Sequence, residues 1–314
     1  MTIRFAVSAV LFATLSLGLA GCSGGPKPAE PARFSAQPAA SPGQPFFPFE
    51  PRWRPIFQGI EYAELANDKP RDMVVQAMRI DTSAPGLELF ATPSNGDRPL
   101  ETDGQTTRAF LEEHGLAVAI NTHFFDPCCN LVPGEAKDLI GLSIAQGETV
   151  SPPTDAGQPD AIIFAHDLTP EVLRSLEEQM GVVITAPRHA IAGRMVLVDG
   201  RVAPGEDKFS IDRHPRTLVG LSEDAGLIYL VTIDGRQPGF STGASLAEAA
   251  GIMHHLGAWH ALNVDGGGST TMIRRDPDGA SQLVNSPSGG GERVVGSNLG
   301  FRARPLQPSP PGDR

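Results

Sequence analysis

Ala261-Leu262-Asn263-Val264-Asp265-Gly266-Gly267-Gly268-Ser269-Thr270-Thr271-Met272 runs from an apolar segment into a carboxylate, three glycines and then hydroxyl side chains. The apolar start reads as a strand. Asp265 stands at its carboxyl end, where open α/β sheets place their ligands. Glycines lack Cβ, so the backbone there can take positive φ and turn its N–H groups toward an anion. A hairpin turn with a surface Asp is the plain alternative. The unbroken order of strand, acid, three glycines, Ser269 and Thr270 favours an anion or sugar site over it.

Working outward, the segment before this strand carries helix signals. Ser245 and Glu248 form a capping box, Leu246, Ala249, Ala250, Met253 and Leu256 make an inner stripe, and Gly257 closes the helix. A second unit starts with Thr106 or Thr107 as cap, buries Phe110 and Leu111, stops at Gly115 and continues into a strand from Leu116 to Ile120. The spacing predicts a third helix from Thr169-Pro170-Glu171 with Val172, Leu173, Leu176 and Met180 on one face, ended by Gly181 before a strand at Val182 to Thr185. Hairpins are expected around Gln146-Gly147, around Asp199-Gly200, and between Leu218–Leu221 and Leu227–Ile233. Helix–strand units mixed with hairpins predict an α+β fold: a mixed β-sheet with helices packed on it, in a single catalytic domain over 55–303.

The two ends read differently. Arg4 precedes an apolar run from Phe5 to Ala20 that is short for a membrane span and ends in Leu19-Ala20-Gly21-Cys22. This looks like a bacterial lipobox. Residues 1–22 are then a lipoprotein signal peptide, with Cys22 as the first mature residue, held to the membrane by acyl chains. Ser23 after it, by resemblance to lipoproteins of two-membrane bacteria, points to the outer membrane, facing periplasm or exterior. Residues 23–54 are rich in Pro, Ala and Gly and read as a tether, in which Phe46, Phe47, Phe49 and Trp53 are the apolar exception. Residues 304–314 read as a disordered tail. The net charge of −11 comes without a basic stripe, which argues against nucleic acid as partner. Of the three cysteines, Cys128 and Cys129 are adjacent. They form either a vicinal disulfide or two free thiols, and neither is a metal framework.

The stretch from Asn263 to Met272 resembles the signature of the phosphodiester glycosidase family, and the likeness extends from about Ala117 to Phe301. It includes Ala119-Ile120-Asn121 before Phe124-Phe125, His214-Pro215-Arg216-Thr217, Val231-Thr232-Ile233-Asp234-Gly235-Arg236, and Glu292-Arg293-Val294-Val295-Gly296-Ser297-Asn298-Leu299-Gly300. One departure stands out. The family commonly has Asn-Gly-Gly before the aromatic pair, whereas this chain has Asn121-Thr122-His123.

The resemblance implies an exported hydrolase that cleaves the glycosidic bond of a sugar-1-phosphodiester on envelope or extracellular glycans. Such a bond is usually cut by two carboxylates. Asp265 is the first, and Asp234 and Glu292 are the candidates for its partner. Asp234 could equally be a turn former and Glu292 a loop salt bridge. Arg216 would take two phosphate oxygens with its planar guanidinium, with Arg236 and Arg293 as weaker versions of the same role. The amides of Gly266, Gly267 and Gly268 and the hydroxyls of Ser269 and Thr270 would hold phosphate or sugar, and Asn121 would bond a sugar hydroxyl or acetamido group. Ser269 does not stand in a Gly-x-Ser-x-Gly pattern, which disfavours it as a nucleophile, and no P-loop lysine, His-Glu-x-x-His or Cys-x-x-Cys pattern is present. No metal site and no cofactor are expected; nothing in the sequence indicates a divalent cation, nor does it set the oligomeric state. A lipid-anchored glycan-binding protein without activity, and a phosphodiesterase cutting the P–O bond, are the competing readings.

Overall fold

The computed structural model of the protein describes residues 47, 50–129, 132–154, 160–165, 167–175, 189–203 and 205–307. Cys22, the leader, most of the tether and the end of the tail lie outside the described residues.

Strands dominate. The largest sheet runs in the order Arg54–Phe57, Ile60–Asn67, Met73–Asp81, Leu227–Ile233, Arg216–Leu221, His260–Asn263, His189–Val198, Asp160–Phe164, Pro170–Leu173. A smaller sheet runs Ser281–Leu283, Met272–Arg275, Val118–Asn121, Asn298–Arg302, Glu88–Ala91. Among the described residues every strand pairing is antiparallel, so the expected mixed sheet is corrected to an antiparallel one. The reason is a slot left open by each crossover. The helix Leu246–Leu256 returns the chain parallel to Leu227–Ile233, but Arg216–Leu221 sits between the two strands it joins. The helix Thr107–Glu113 does the same between Glu88–Ala91 and Val118–Asn121, where Asn298–Arg302 fills the slot. Helix–strand units therefore exist without producing a single parallel neighbour.

Both helices begin and end as their side chains dictate. The Thr106 hydroxyl accepts from the Ala109 amide, and Ser245 and Glu248 complete the reciprocal capping box. Gly257 takes φ 106° and closes the second helix in the left-handed region. The hairpin turns at Gln146-Gly147 and Asp199-Gly200 both have positive φ at their two central residues, as tight two-residue hairpins require.

The third expected helix is not formed at its start. Pro170–Leu173 is an edge strand paired with Asp160–Phe164, and Leu176, Met180 and the strand expected at 182–185 lie outside the described residues. Pro at the first residue of a sheet-edge strand loses no ladder bond, so the signal read as a helix start suits a strand equally well.

Two apolar layers enclose the large sheet. One face, with Met78, Val219, Leu230, Leu262 and Val264, meets Val118, Ile120, Met272, Leu299 and Phe301 of the smaller sheet. The other face, with Leu218, Val231 and Ala261, is covered by Leu246, Ala249, Ala250 and Met253 of the capped helix. Strands buried on both sides need continuous apolar sequence rather than alternation. Phe47, in the segment expected to be tether, is fully buried in this second layer, and Trp53 packs against it. At the other end the Arg304 and Pro305 carbonyls, at the start of the expected tail, accept from Gln58.

Candidate active site

Residues 265–271 carry the chain from the large sheet to the small one, linking His260–Asn263 to Met272–Arg275. The glycines make that crossing tight. Gly267 has φ 61°, and a Cβ on Gly266 would stand 2.7 Å from the Pro215 carbonyl oxygen. Asn121, at the end of its strand and fully buried, clasps the crossing from the small sheet. Its Nδ2 donates to the Asp265 carbonyl at 2.6 Å, and its Oδ1 accepts from the Thr271 amide and the Thr217 hydroxyl, both at 3.0 Å. The Asp265 amide donates to the Thr122 carbonyl at 2.8 Å. Asn121 thus spends its Oδ1 and one N–H of Nδ2 on the bend, and of the amide expected to bind sugar only the second N–H is not committed to it.

The Asp265 carboxyl is pushed by burial from 3.8 up to about 7, against the pull of the Ser269 hydroxyl, the Arg293 charge and the Gly266 amide. Asp234 lies a layer deeper. It is 1% exposed, and its Oδ1 accepts from Asn285 Nδ2 at 3.2 Å and from the Ser286 amide at 2.9 Å, while its Oδ2 is buried without a partner. Burial pushes this carboxyl up to about 6. Asn285 also donates to the Thr270 carbonyl at 3.0 Å, so Asp234 is joined to the bend through one amide. Glu292 is placed elsewhere. Its Oε1 takes Arg108 Nε at 2.7 Å and its Oε2 takes the Arg108 amide at 3.2 Å, on the first turn of the Thr107–Glu113 helix. A carboxylate there stabilises the helix N-terminus and makes the salt bridge that is the alternative reading of Glu292.

The cations also sort differently from the sequence expectation. Arg216 is 1% exposed, with Nε bonded to the Ala244 carbonyl at 2.9 Å and Nη2 to those of Phe209 and Asp212, both at 2.8 Å. Its guanidinium stands over the Phe209 ring at 4.6 Å, and burial pulls its pKa down to about 10. Nε and Nη2 of Arg216, expected to grip phosphate, are therefore committed to backbone carbonyls. Arg236 and Arg293 instead flank the glycines. A Cβ on Gly267 would meet Arg236 Nη1 and Nη2 at 3.2 Å, and a Cβ on Gly268 would meet Arg293 Nη2 at 2.2 Å. Arg293 Nη1 donates to Ser269 Oγ at 3.3 Å, and Ser269 in turn bonds the Asp265 carboxyl. Thr270 Oγ1 lies 3.3 Å from Thr217 Oγ1 and faces inward, fully within the protein.

Two of the three bend amides expected to face an outside anion are spent within the protein. The Gly267 amide donates to the Pro215 carbonyl at 2.9 Å, and the Gly266 amide bonds the Asp265 carboxyl itself. What the three glycines provide is room: without Cβ atoms, two guanidinium groups can lie against the backbone beside the acid.

His214 is a site-edge residue that sequence reasoning passed over, though it stands two residues before Arg216. Arg236 Nη2 lies 3.2 Å from its Nδ1, and since a guanidinium only donates, Nδ1 accepts and the ring proton sits on Nε2. Burial and the charges of Arg236 and Arg216 keep this histidine below its usual pKa, hence neutral. Thr122 and His123, which replace the family's glycines, point inward. His123 is buried between Ser297 Oγ at 3.2 Å, the Leu142 carbonyl at 3.1 Å and the Ala192 amide at 3.1 Å, and burial takes it down to about 4. Among the described residues no cluster of three or more His, Cys, Asp or Glu is arranged to hold a metal ion.

The model of the family described as phosphodiester glycosidase matches residues 114–302, which takes in every residue of this site. No curated protein matches the chain. Among solved structures it is similar to the catalytic domain of zebrafish N-acetylglucosamine-1-phosphodiester alpha-N-acetylglucosaminidase, described as auto-inhibited by its pro-peptide. The identity is 18% and the TM-score 0.59, over 82% of this chain and 89% of that one. A hypothetical protein from Synechocystis matches with the same TM-score of 0.59 and 18% identity, over 78% of this chain. The match spans 62% of the Synechocystis protein's length. At such identities these likenesses establish the fold.

Proposed function

Because this chain belongs to the phosphodiester glycosidase family, we propose that it hydrolyses the bond between the anomeric carbon and oxygen of a sugar-1-phosphodiester. The substrates are envelope or extracellular glycans. The observation that carries the reading is Asp265, a carboxyl with a pKa near 7, set beside Arg236 and Arg293 on a backbone stripped of side chains. An acid titrating near neutrality can both take and return a proton at working pH. Two fixed guanidinium groups supply what a departing phosphate needs, positive charge in place before the bond breaks. A phosphate monoester leaves as a weak base with a second pKa near 6, so it asks little acid assistance. Asp265 is then free to orient and deprotonate the attacking water and to support the oxocarbenium-like state. Asp234 is a positioning residue that steadies the bend through Asn285.

The same reading makes the protein an exported lipoprotein held on the outer membrane through Cys22, with no cofactor. Incubation of the full chain in detergent with a sugar-1-phosphodiester in heavy-oxygen water tests the reaction. Label in the released sugar supports C–O cleavage. Label in the phosphate means a phosphodiesterase, and binding without release means a glycan-binding protein.

A further inference from the structure

The reaction proposed above makes no use of the disulfide between Cys128 and Cys129, yet one of its sulfurs touches the site. Arg293 Nη1, which donates to Ser269 Oγ at 3.3 Å, also lies 3.4 Å from Cys129 Sγ. The guanidinium is thereby held from two sides while its Nη2 rests against Gly268. The loop that presents the sulfur is itself anchored. Fully buried Lys137 donates from Nζ to the Pro127 carbonyl at 2.9 Å and pairs with Glu135 at 2.6 Å. Phe125, just before the loop, packs so closely on Gly296 that a Cβ there would come within 2.7 Å of it. Phe125 and Gly296 thus bring the segment before the cysteines against the segment that follows Arg293.

A disulfide sulfur is an unusual partner for a guanidinium beside an anion site. A carboxylate in that place would form an ion pair and compete with the substrate's phosphate. A neutral sulfur, a weak acceptor, can fix the direction of the group without cancelling its charge. We propose that Cys129, through its bond to Cys128, is a positioning residue that aims Arg293 at the substrate phosphate, and that opening the disulfide weakens phosphate binding. The proposal rests on the glycosidase reading. In the opening step a dithiol gives two electrons and two protons to the pair. The S–S bond breaks, two S–H bonds form, and the reductant closes to its own disulfide. The freed Cys129 thiol can then lose its proton to water beside Arg293, since a neighbouring cation favours the thiolate. That thiolate competes for the guanidinium as the disulfide does not.

The test uses the full chain in detergent in three forms: oxidised, reduced with a dithiol and desalted under argon, and reoxidised. Mass spectrometry reports the gain of two hydrogens. Calorimetry with inorganic phosphate gives Kd, and turnover of a sugar-1-phosphodiester gives KM and kcat. Reduction should raise Kd and KM together by about five- to tenfold, the effect of losing one fixed charged contact. It should leave kcat within about twofold, and reoxidation should restore both. The double variant Cys128→Ala/Cys129→Ala, which has neither sulfur, should show a raised KM that no reductant changes. Equal Kd and KM in the two redox states, with turnover intact, would overturn the positioning role alone, as would a fall in kcat and thermal stability at unchanged KM. Neither turnover nor phosphate binding in the oxidised chain would overturn the glycosidase reading and the proposal with it.

Discussion

Replacing Asn121 with alanine removes the clasp between the two sheets, and the structure gives the size of the loss. The buried amide makes three bonds, at 2.6 Å to the Asp265 carbonyl and 3.0 Å each from the Thr271 amide and Thr217 hydroxyl. The Thr217 hydroxyl keeps a partner in Thr270 Oγ1 at 3.3 Å, so it is not orphaned. The Asp265 carbonyl and the Thr271 amide are left without these bonds. At about 1–3 kcal/mol for each buried group left unsatisfied, the loss is about 4 kcal/mol. That is a large share of a stability of about 5–15 kcal/mol. Urea unfolding read by circular dichroism should show a midpoint lowered by about 1.5 M at unchanged slope, for a slope of about 2–3 kcal/mol per molar. Below the transition, kcat should fall as well, because the carbonyl freed belongs to Asp265. Asn121→Asp retains the acceptor for Thr271 and Thr217 but loses the donor, and should fall between the two. An Asn121→Ala protein within about 1 kcal/mol of wild type would show that the amide does not hold the crossing.

Asp265→Asn should abolish sugar release while the protein stays folded, and release by the wild type should rise as pH climbs through about 7, where the carboxyl ionises. Carboxyls raised on folding stabilise the native state while protonated, so stability should be greatest below pH 3.8 as far as Asp265 and Asp234 are concerned. It should decline as pH rises through their folded values of about 6 and about 7, and Asp265→Asn or Asp234→Asn should flatten thermal melts over that window. Arg236→Ala and Arg293→Ala should each raise KM about tenfold or more with small changes in stability. Arg216→Ala should lower stability by about 3 kcal/mol, seen in the same urea titration, because three backbone carbonyls lose a charged donor. Glu292→Gln should leave kcat unchanged and cost about 1 kcal/mol at most, as expected of a partly exposed ion pair. Cys22→Ser should move the protein from the membrane to the soluble fraction on cell fractionation, and retention on the membrane would remove the lipid anchor.

The sequence made local structure legible wherever one residue settles a local question. Ser245 with Glu248, Thr106 and Gly257 mark helix ends because a cap needs a hydroxyl or carboxylate, or a missing Cβ, at one position. Gln146-Gly147 and Asp199-Gly200 mark hairpins for the same kind of reason. Pro170 misled because its missing N–H is tolerated equally at a helix start and at a sheet edge, and the choice was made by Asp160–Phe164 on the other side of the pairing. The antiparallel order escaped local reading too, since it depends on Arg216–Leu221 and Asn298–Arg302 entering slots from far along the chain.

The site divides along the same line. Which residue types gather at the bend was written in the order acid, three glycines, hydroxyls, because that order alone permits a close approach of charge to backbone. Which arginine stands at the bend and which is held on backbone carbonyls was decided by folding. Arg216 faces the carbonyls of Ala244, Phe209 and Asp212, while Arg236 and Arg293 arrive beside Gly267 and Gly268 from loops distant in sequence. A side chain's chemistry belongs to the residue, but whether its hydrogen bonds are already taken depends on neighbours that only the packed chain brings within reach.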